Sequence, residues 1–303
     1  MNEISVIGAT SPLGIDLVRL LADDGYRVQA SFRSAERVPD LWREHSSITT
    51  QRLDLNDQGE LAVFCTKTIV WLAHLEQGRF NDQEIETNLL AFDTFLSQVD
   101  ILQVEKIVFV SSGGSVYGEP DELPISEDHS LKPLSSYGKA KIAMERRLSE
   151  FATKTDTATA IIRPGNIYGF TDPNNDHKGI VAAFLNSIRT GAPFTRIHNG
   201  KTVRDFIHVD DVCRAIIAAV ENNQRRIVWN VATANGNSIA DVIDMIQNQT
   251  GLDLPAFIDV ENYSSDVSSN ILAIDRITAE SDWRPQIVLE NGIAATVRSR
   301  LRK

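Results

Sequence analysis

The amino-terminal part of the chain alternates apolar runs with a glycine-bounded turn and an amphipathic stretch. Ile4 to Ile7 is predicted to be a buried strand, and Tyr26 to Phe32 a second one. Between them, the segment from Gly8 to Gly14 leads into a helix that ends near Asp24, just before Gly25. Strand, turn, helix and strand form a βαβ unit, whose helix start is where a dinucleotide pyrophosphate binds. This pattern predicts a nucleotide-binding α/β fold.

The turn itself supplies candidate cofactor contacts. Gly8 would allow a tight turn, and Gly14 would let the helix pack closely on the strand. Ser11 stands where a G-x-x-G-x-x-G pattern has its middle glycine, and its hydroxyl could donate to a phosphate. Together with Pro12 and Leu13, these residues are the predicted pyrophosphate-binding segment.

The alternation continues through the first half of the chain. Further strands are predicted at 48–53, 68–72, 106–111 and 158–163, with a long helix between 82 and 99. The run from Lys106 to Ser111 is continuously apolar between its first and last residues, as in a parallel strand that is covered on both faces. The predicted fold class is therefore α/β, with a Rossmann-type doubly wound parallel sheet.

After residue 166 the pattern loosens into short strands mixed with helices, which predicts a smaller carboxy-terminal α+β lobe. We expect residues 1–166 to form the nucleotide-binding domain, with 204–236 packing back onto it. Residues 167–203 and 237–303 are expected to form the substrate lobe.

Charge and composition narrow the functional classes. The formal net charge is −11, which disfavours a nucleic acid or an anionic membrane as partner. No apolar run is long enough to span a bilayer, and no signal peptide precedes the first strand, so a cytoplasmic protein is expected. Cys65 and Cys213 have no metal-ligand spacing, and no metal site is predicted.

The strongest chemical signal is Tyr137-Gly138-Lys139-Ala140-Lys141. Ser135 or Ser136 is a suitable N-cap, so Tyr137 and Lys141 are predicted to lie one turn apart on one face of a helix. A phenol titrates near ~10, and a neighbouring cation lowers that value. The pair is therefore a candidate general acid and base for work near neutral pH.

This segment is one of several motifs that follow one another along the chain in a specific order and spacing. They are Gly8 to Gly14, Asp54-Leu55, Asn88, Ser111 to Gly118, Tyr137 to Lys141, Arg163 to Gly169 and Val203 to Asp211. With these motifs the chain resembles, over nearly its full length, an extended short-chain dehydrogenase/reductase of the nucleotide-sugar epimerase/dehydratase family, similar to UDP-galactose 4-epimerases.

The resemblance implies roles for individual residues. Tyr137 would remove a proton from a sugar hydroxyl, and Lys141 would also bind the nicotinamide ribose. Asp54 and Leu55 match a pair beside the adenine. The other residues implied to bind the cofactor are Leu72, Asn88 and Pro164.

The resemblance also implies a substrate site for a nucleotide-diphospho-sugar. Asn166 matches a position near the phosphates, and Arg204 matches an arginine that holds the pyrophosphate, for which a guanidinium fork is suited. Asp266 matches an aspartate near the nucleoside or the sugar.

Some positions depart from the family pattern. Gly113 stands where relatives have a catalytic Ser or Thr. If this segment is extended, residues 113 and 115 share a face, which makes Ser115 the best substitute, ahead of Ser112. The carboxylates of dehydratases are absent from 113–115, which argues against a dehydratase. Trp71 replaces a common His, and Tyr263 replaces a frequent Arg.

Three functions remain open from the sequence. The first is C4 epimerisation of a nucleotide-diphospho-hexose through a 4-keto intermediate. The second is NADPH-dependent reduction of a 4-keto nucleotide sugar. The third, a non-catalytic NAD(P)-binding regulator, is disfavoured because Tyr137 and Lys141 are both present.

The end of the second strand bears on the choice of cofactor. An acidic residue there normally binds the ribose hydroxyls of NAD. This chain has Phe32 and then Arg33, which could pair with a 2′-phosphate. The sequence therefore favours NADP over NAD.

A homodimer is also implied by the resemblance, through the helix of Tyr137 and the helix before it. Leu89, Phe92, Phe95 and Leu96 are expected to supply the apolar surface that the dimer buries.

Overall fold

The computed structural model describes residues 3–55, 57, 60–61, 64–74, 82–99, 103–172, 179–261 and 267–301. The described chain forms two compact units. The first consists of Met1–Ser112, Ser135–Arg163 and Cys213–Trp229, and the second of Gly113–Leu134, Pro164–Val212 and Asn230–Lys303.

Strands and helices alternate along the described part of the chain. The strands are β1 (Glu3–Ile7), β2 (Arg27–Phe32), β3 (Ile48–Arg52), β4 (Thr68–Trp71), β5 (Lys106–Val110), β6 (Ala158–Pro164), β7 (Asn166–Tyr168), β8 (Phe194–Ile197), β9 (Val203–His208), β10 (Arg226–Val231), β11 (Gly236–Ser238), β12 (Phe257–Val260) and β13 (Ser269–Asn270). The helices are α1 (Pro12–Asp23), α2 (Asp40–Glu44), α3 (Asp82–Gln98), α4 (Gly113–Val116), α5 (Ser136–Lys154), α6 (Ile180–Thr190), α7 (Val209–Glu221), α8 (Ile239–Thr250), α9 (Asp275–Glu280) and α10 (Leu289–Leu301).

The first unit is built on a seven-stranded sheet in the order β10-β6-β5-β4-β1-β2-β3. Neighbours among β1 to β6 are parallel, with Val6 opposite both Ala30 and Val70. Because the chain returns to the middle of the sheet after β3, the strand order reverses between β1 and β4. Sheets of this kind bind ligands at the carboxyl ends of the strands near that reversal. The predicted Rossmann-type fold is confirmed.

Large aromatic side chains fill the first unit's core. The Trp71 ring lies 4.9 Å from the rings of both Phe92 and Phe95, and its indole N–H donates to the Ala73 carbonyl at 3.1 Å. Trp71 is 1% exposed. Trp71, which stands where the family that the chain resembles commonly has a His, is therefore a core side chain at the end of β4.

This packing corrects one expectation. Phe92 and Phe95 are fully buried in the core and Leu96 nearly so, with Leu89 packed against them. The prediction that these side chains form an exposed dimer surface is wrong, because they pack inside the first unit. Among the described side chains of α3, the large apolar Leu90 is exposed, at 63%.

The second unit has its own small sheets and core. Strand β9 is central, since it pairs with β7, β11 and β13, while β8 pairs with β12. Apolar side chains from α6, α8 and α10 meet there, among them Phe184, Ile243 and Ile293. This is the predicted mixture of short strands and helices.

The boundaries of the two units differ from the predicted domain boundaries, among other places at residues 164–166, which belong to the second unit. Residues 113–134, expected in the nucleotide-binding domain, belong to the second unit. Of the segment 204–236, residues 213–229 belong to the first unit, which matches the expected packing only in part. None of the described helices is both long and apolar enough to cross a membrane.

Candidate functional site

The turn between β1 and α1 is held by its glycines and by Ser11. Gly8 has φ +87°, a conformation that side chains with a Cβ rarely adopt. A Cβ on Gly14 would lie 2.6 Å from the Gly8 carbonyl oxygen. Ser11 caps the helix, and its Oγ accepts from the Gly14 N–H at 3.1 Å. The predicted tight turn at the helix start is therefore present, and the amide groups there fit the pyrophosphate of a dinucleotide.

A residue that sequence reasoning missed fixes this turn from the neighbouring strand. The Gly8 N–H donates to Ser31 Oγ at 2.9 Å, and Ser31 is 4% exposed. On the other side, a Cβ on Gly8 would lie 2.7 Å from the Ala73 nitrogen, next to Leu72. The turn is thus enclosed by β2 and by the segment after β4.

Other predicted cofactor residues follow the same sheet edge. Arg33 comes directly after β2 and is exposed, and Asp54 comes shortly after β3 and is also exposed. Leu55 and Leu72 are buried. Because the carboxyl ends of parallel strands share one edge, the fold places these residues on the side of Gly8. Asn88, on α3, is 2% exposed.

The tyrosine and lysine are where the sequence predicts. Ser135 is the N-cap of α5, since its Oγ accepts from the Gly138 N–H at 3.1 Å. Tyr137 and Lys141 lie one turn apart, with Lys141 Nζ 5.6 Å from the centroid of the Tyr137 ring. The cation therefore lies within reach of the phenol's electrostatic field.

Lys141 is deeply buried at 3% exposure. Its Nζ donates to the Val110 carbonyl at 2.9 Å and lies 5.0 Å from the Phe109 ring centroid. Burial lowers the pKa of Lys141 to about 8, and the negative charge of Glu145 opposes that shift. A lysine with this pKa is partly neutral in mildly alkaline solution.

A histidine also contacts the tyrosine. The His74 ring meets the Tyr137 ring edge to face, with centroids 5.0 Å apart and planes at 81°. His74 follows β4 by three residues, and no local pattern in the sequence pairs it with Tyr137. Two basic side chains therefore lie beside the Tyr137 ring: Lys141 from its own helix and His74 from the segment after β4.

In the second unit, the segment after β5 differs from the prediction. Residues 113–116 form a helical turn, α4, and not an extended segment. Successive residues of a helix are about 100° apart, so Gly113 and Ser115 do not share a face, and the alternation argument for Ser115 is wrong. Ser112, the alternative source of the hydroxyl, lies three residues before Ser115 in the sequence.

This helical turn lies beside Asn166. A Cβ on Gly114 would lie 3.1 Å from Asn166 Oδ1, so glycine permits the close approach. The Asn270 side chain donates to the Gly113 carbonyl at 3.1 Å and holds the turn from β13. The structure thus brings the Ser115 segment and Asn166 together, while Pro164 ends β6 and is buried.

Arg204 is 5% exposed and bonded to main-chain carbonyls. Its Nη1 donates to the Val203 oxygen at 2.7 Å and its Nη2 to the Val267 oxygen at 2.8 Å. The guanidinium therefore anchors the chain at Val267 to β9. Asp266 and Tyr263 lie outside the described residues.

A cavity of about 130 Å³ opens in the second unit next to Asn166. Its walls are mostly apolar and include Phe170, Ile180 and Phe206, with Arg300 as a charged member. Within the described parts of the chain, no group of three His, Cys, Asp or Glu side chains is placed to hold a metal ion.

Comparisons with known proteins point to one family. A sequence profile of the NAD dependent epimerase/dehydratase family matches residues 4–232. UDP-glucose 4-epimerase from Mycolicibacterium smegmatis is 30% identical over an alignment of 306 positions, gaps included, which covers 96% of each chain. The dTDP-4-dehydro-6-deoxyglucose reductase of Escherichia coli is 30% identical over 238 residues, 77% of this chain and 74% of the relative.

A solved structure is similar over nearly the whole chain. The crystal structure of UDP-glucose 4-epimerase from Thermus thermophilus, in complex with NAD, superposes with a TM-score of 0.86. It is 26% identical in sequence, and the match covers 98% of both chains.

Proposed function

Since the chain belongs to the NAD dependent epimerase/dehydratase family, we propose that it is a nucleotide-sugar 4-epimerase. The reaction would invert C4 of a nucleotide-diphospho-hexose through a 4-keto intermediate. The observation that carries the proposal is the pair on α5, with the buried ammonium of Lys141 5.6 Å from the Tyr137 ring. The family relatives named as UDP-glucose 4-epimerases make UDP-hexoses the first substrates to test.

The proton-transfer steps of this reaction can be assigned to side chains of this chain. A bound nicotinamide cofactor supplies the hydride acceptor and donor. Tyr137 removes the proton from the C4 hydroxyl and later returns it to the same oxygen, so that one residue serves as base and acid. Lys141 favours the phenolate by its charge.

Each unit would bind one part of the reactants. We assign the cofactor to the first unit, with its pyrophosphate on Gly8 to Gly14 and its adenine beside Asp54 and Leu55. We assign the nucleotide sugar to the second unit. Asn166, Arg204 and Asp266 are the residues proposed to bind it.

Incubation with UDP-, GDP- and dTDP-hexoses tests the proposal. Interconversion of C4 epimers with no net change in reduced cofactor supports it. Consumption of stoichiometric NADPH by a 4-keto sugar, with no hexose epimerised, contradicts it. That outcome would establish the alternative function, a 4-keto nucleotide-sugar reductase, which the similarity to the Escherichia coli reductase favours. A chain that binds cofactor but does neither reaction would be a regulator.

The cofactor is expected to be NAD, which the family name and the Thermus thermophilus complex share. Arg33 keeps NADP as the competing assignment, because its exposed guanidinium follows β2 where NAD enzymes carry an acid. Replacing Arg33→Ala should weaken NADP binding by about tenfold or more, the value of a lost charge-assisted bond, and leave NAD binding unchanged. Fluorescence titration with both cofactors measures this. Equal NADP affinity in variant and parent would show that Arg33 has no part in selection.

Ser115 is proposed to bind the sugar hydroxyl because its helical turn lies beside Asn166, where a Cβ on Gly114 would be 3.1 Å from Asn166 Oδ1. Ser115→Ala should lower turnover by roughly 10²-fold, in the range of a positioned proton-transfer partner. Ser112→Ala, the same change three residues earlier, is the matched control and should lower turnover less. If the two variants exchange these effects, Ser112 supplies the hydroxyl.

We also propose a homodimer formed by the exposed faces of α3 and α5. Leu90 would be buried there, and Leu90→Glu should therefore favour the monomer, because it would desolvate a charge in the interface. Light scattering at micromolar concentration measures the mass of both proteins. A parent protein that is monomeric contradicts the proposal.

A further inference from the structure

The helix of Tyr137 and Lys141 carries a third ionisable side chain one turn further on. Glu145 is 3% exposed, and both of its oxygens accept from Arg163, which is 5% exposed and lies at the end of β6. Arg163 Nε lies 3.1 Å from Oε1, and Nη2 lies 2.6 Å from Oε2. A bidentate pair of this kind is strong and fixed in direction. The reaction proposed above uses neither residue.

The charges around Lys141 come from few elements among the described residues. Its own helix supplies Glu145 and the Tyr137 phenol, and Arg163 of β6 is bonded to Glu145. From β5, the Phe109 ring and the Val110 carbonyl contact Lys141. The His74 ring contacts Tyr137, and the exposed pair of Asp93 on α3 with Arg147 on α5 lies further along the helix of Lys141.

Two opposing effects act on the Lys141 ammonium. Burial disfavours its charged form, and the Glu145 carboxylate favours it. A buried carboxylate keeps its charge only when it is paired and hydrogen-bonded, which Arg163 provides on both oxygens. Without this pair, Lys141 would lose its proton in less alkaline solution.

We propose that Glu145 and Arg163 form a positioning pair that keeps Lys141 protonated at neutral pH and through it maintains the reactive form of Tyr137. The proposal rests on the functions assigned above to Tyr137 and Lys141. It explains how the positive charge of Lys141, on which those functions depend, is stabilised in a buried position.

The main variant is Glu145→Gln, which keeps the shape of the side chain and removes its charge. Lys141 should then lose its proton at lower pH, so the alkaline limb of the pH–rate profile should move down by about one unit. Turnover near pH 6 should remain within about threefold of the parent, because Lys141 is still protonated there. Glu150→Gln is the matched control, since Glu150 lies on the same helix, is exposed and pairs with Arg147 at 3.8 Å. It should leave the profile unchanged.

A second measurement needs no substrate. The ultraviolet absorbance of the Tyr137 phenolate, obtained as parent minus Tyr137→Phe, gives its titration in the free protein. The same difference in the Glu145→Gln background is obtained from Glu145→Gln minus Glu145→Gln/Tyr137→Phe. In that background the phenolate of Tyr137 should form at higher pH than in the parent. This measurement distinguishes failure of the pair's role from failure of the proposed epimerase activity.

A double variant covers the case in which Glu145→Gln does not fold because Arg163 is left with a buried charge. Glu145→Met with Arg163→Met removes both charges at similar volume, a change that buried pairs often tolerate. The alkaline limb should move in the same direction but by less than in Glu145→Gln, because the opposing charge of Arg163 is removed as well. The melting temperature could instead fall while the alkaline limb and the Tyr137 titration stay at the pH values of the parent. That result would mean that the pair only holds α5 to β6, and it would overturn the proposal.

Discussion

Replacing Tyr137 by phenylalanine is expected to lower turnover by roughly 10²- to 10⁴-fold, the range of general acid–base catalysis. The variant keeps the ring and its edge contact with His74 but has no hydroxyl to exchange a proton with the sugar. Cofactor affinity should change little, because the turn from Gly8 to Gly14 is untouched. Steady-state assays of epimerisation, together with a titration of NAD, measure both quantities.

Tyr26→Phe is the matched control for this change. The Tyr26 hydroxyl donates to Glu221 at 2.5 Å, so the variant also loses one hydrogen bond of a phenol. Its turnover should equal that of the parent, since neither residue belongs to the site. A Tyr137→Phe variant that retained turnover within threefold would remove Tyr137 from proton transfer.

Most of the fold could be predicted because local signals agree with it. Apolar runs bounded by turns placed β1 to β6 within one or two residues of the observed bounds. Helix starts were marked by side chains that cap them, as Ser11, Ser135 and Ser238 do. Ser238 also forms a capping box with Asp241.

The second unit was harder to predict, for a physical reason. Strands β7, β11 and β13 have two or three residues each and exist because they pair with β9, so their own sequences carry little periodicity. The turn α4 begins with Gly113-Gly114, which has no intrinsic preference for helix. Its conformation depends on contacts such as the Asn270 bond to Gly113, which lie far away in the chain.

The site shows the same division between local and distant information. The spacing of Tyr137 and Lys141 and the glycines of the first turn are local, and the sequence indicated their arrangement. Contacts of Tyr137 with His74 and of Glu145 with Arg163 join separate elements. Helical spacing places Glu145 on the face of Lys141, but only the sheet brings its partner within reach.

Replacing Lys141 by methionine is the second change with a large expected effect. Without the ammonium, the Tyr137 phenol should titrate near its ordinary value of ~10, so that roughly one molecule in a thousand carries phenolate at pH 7. Turnover at pH 7 should therefore fall by roughly 10²- to 10³-fold. Lys139→Met, the same change at an exposed position of α5, should leave turnover unchanged.

The direction of the pH dependence distinguishes this explanation from simple damage. In the parent, Lys141 has a pKa lowered to about 8, so turnover should decline above pH 8 as its charge is lost. In Lys141→Met, turnover should instead rise above pH 8, as Tyr137 ionises unaided. Parallel profiles for the two proteins would contradict the assigned charge effect.

Stability gives an independent check on the same variant. A lysine whose pKa is lower in the folded than in the unfolded chain opposes folding while it is protonated, and that opposition fades as pH rises from about 8 toward the unfolded value near ~10. Methionine has no such charge and occupies a similar volume. The melting temperature of Lys141→Met at pH 7 should therefore equal or exceed that of the parent. A stable variant with this loss of turnover would assign the loss to chemistry, whereas a lower melting temperature would mean that the ammonium's bond to Val110 outweighs its burial.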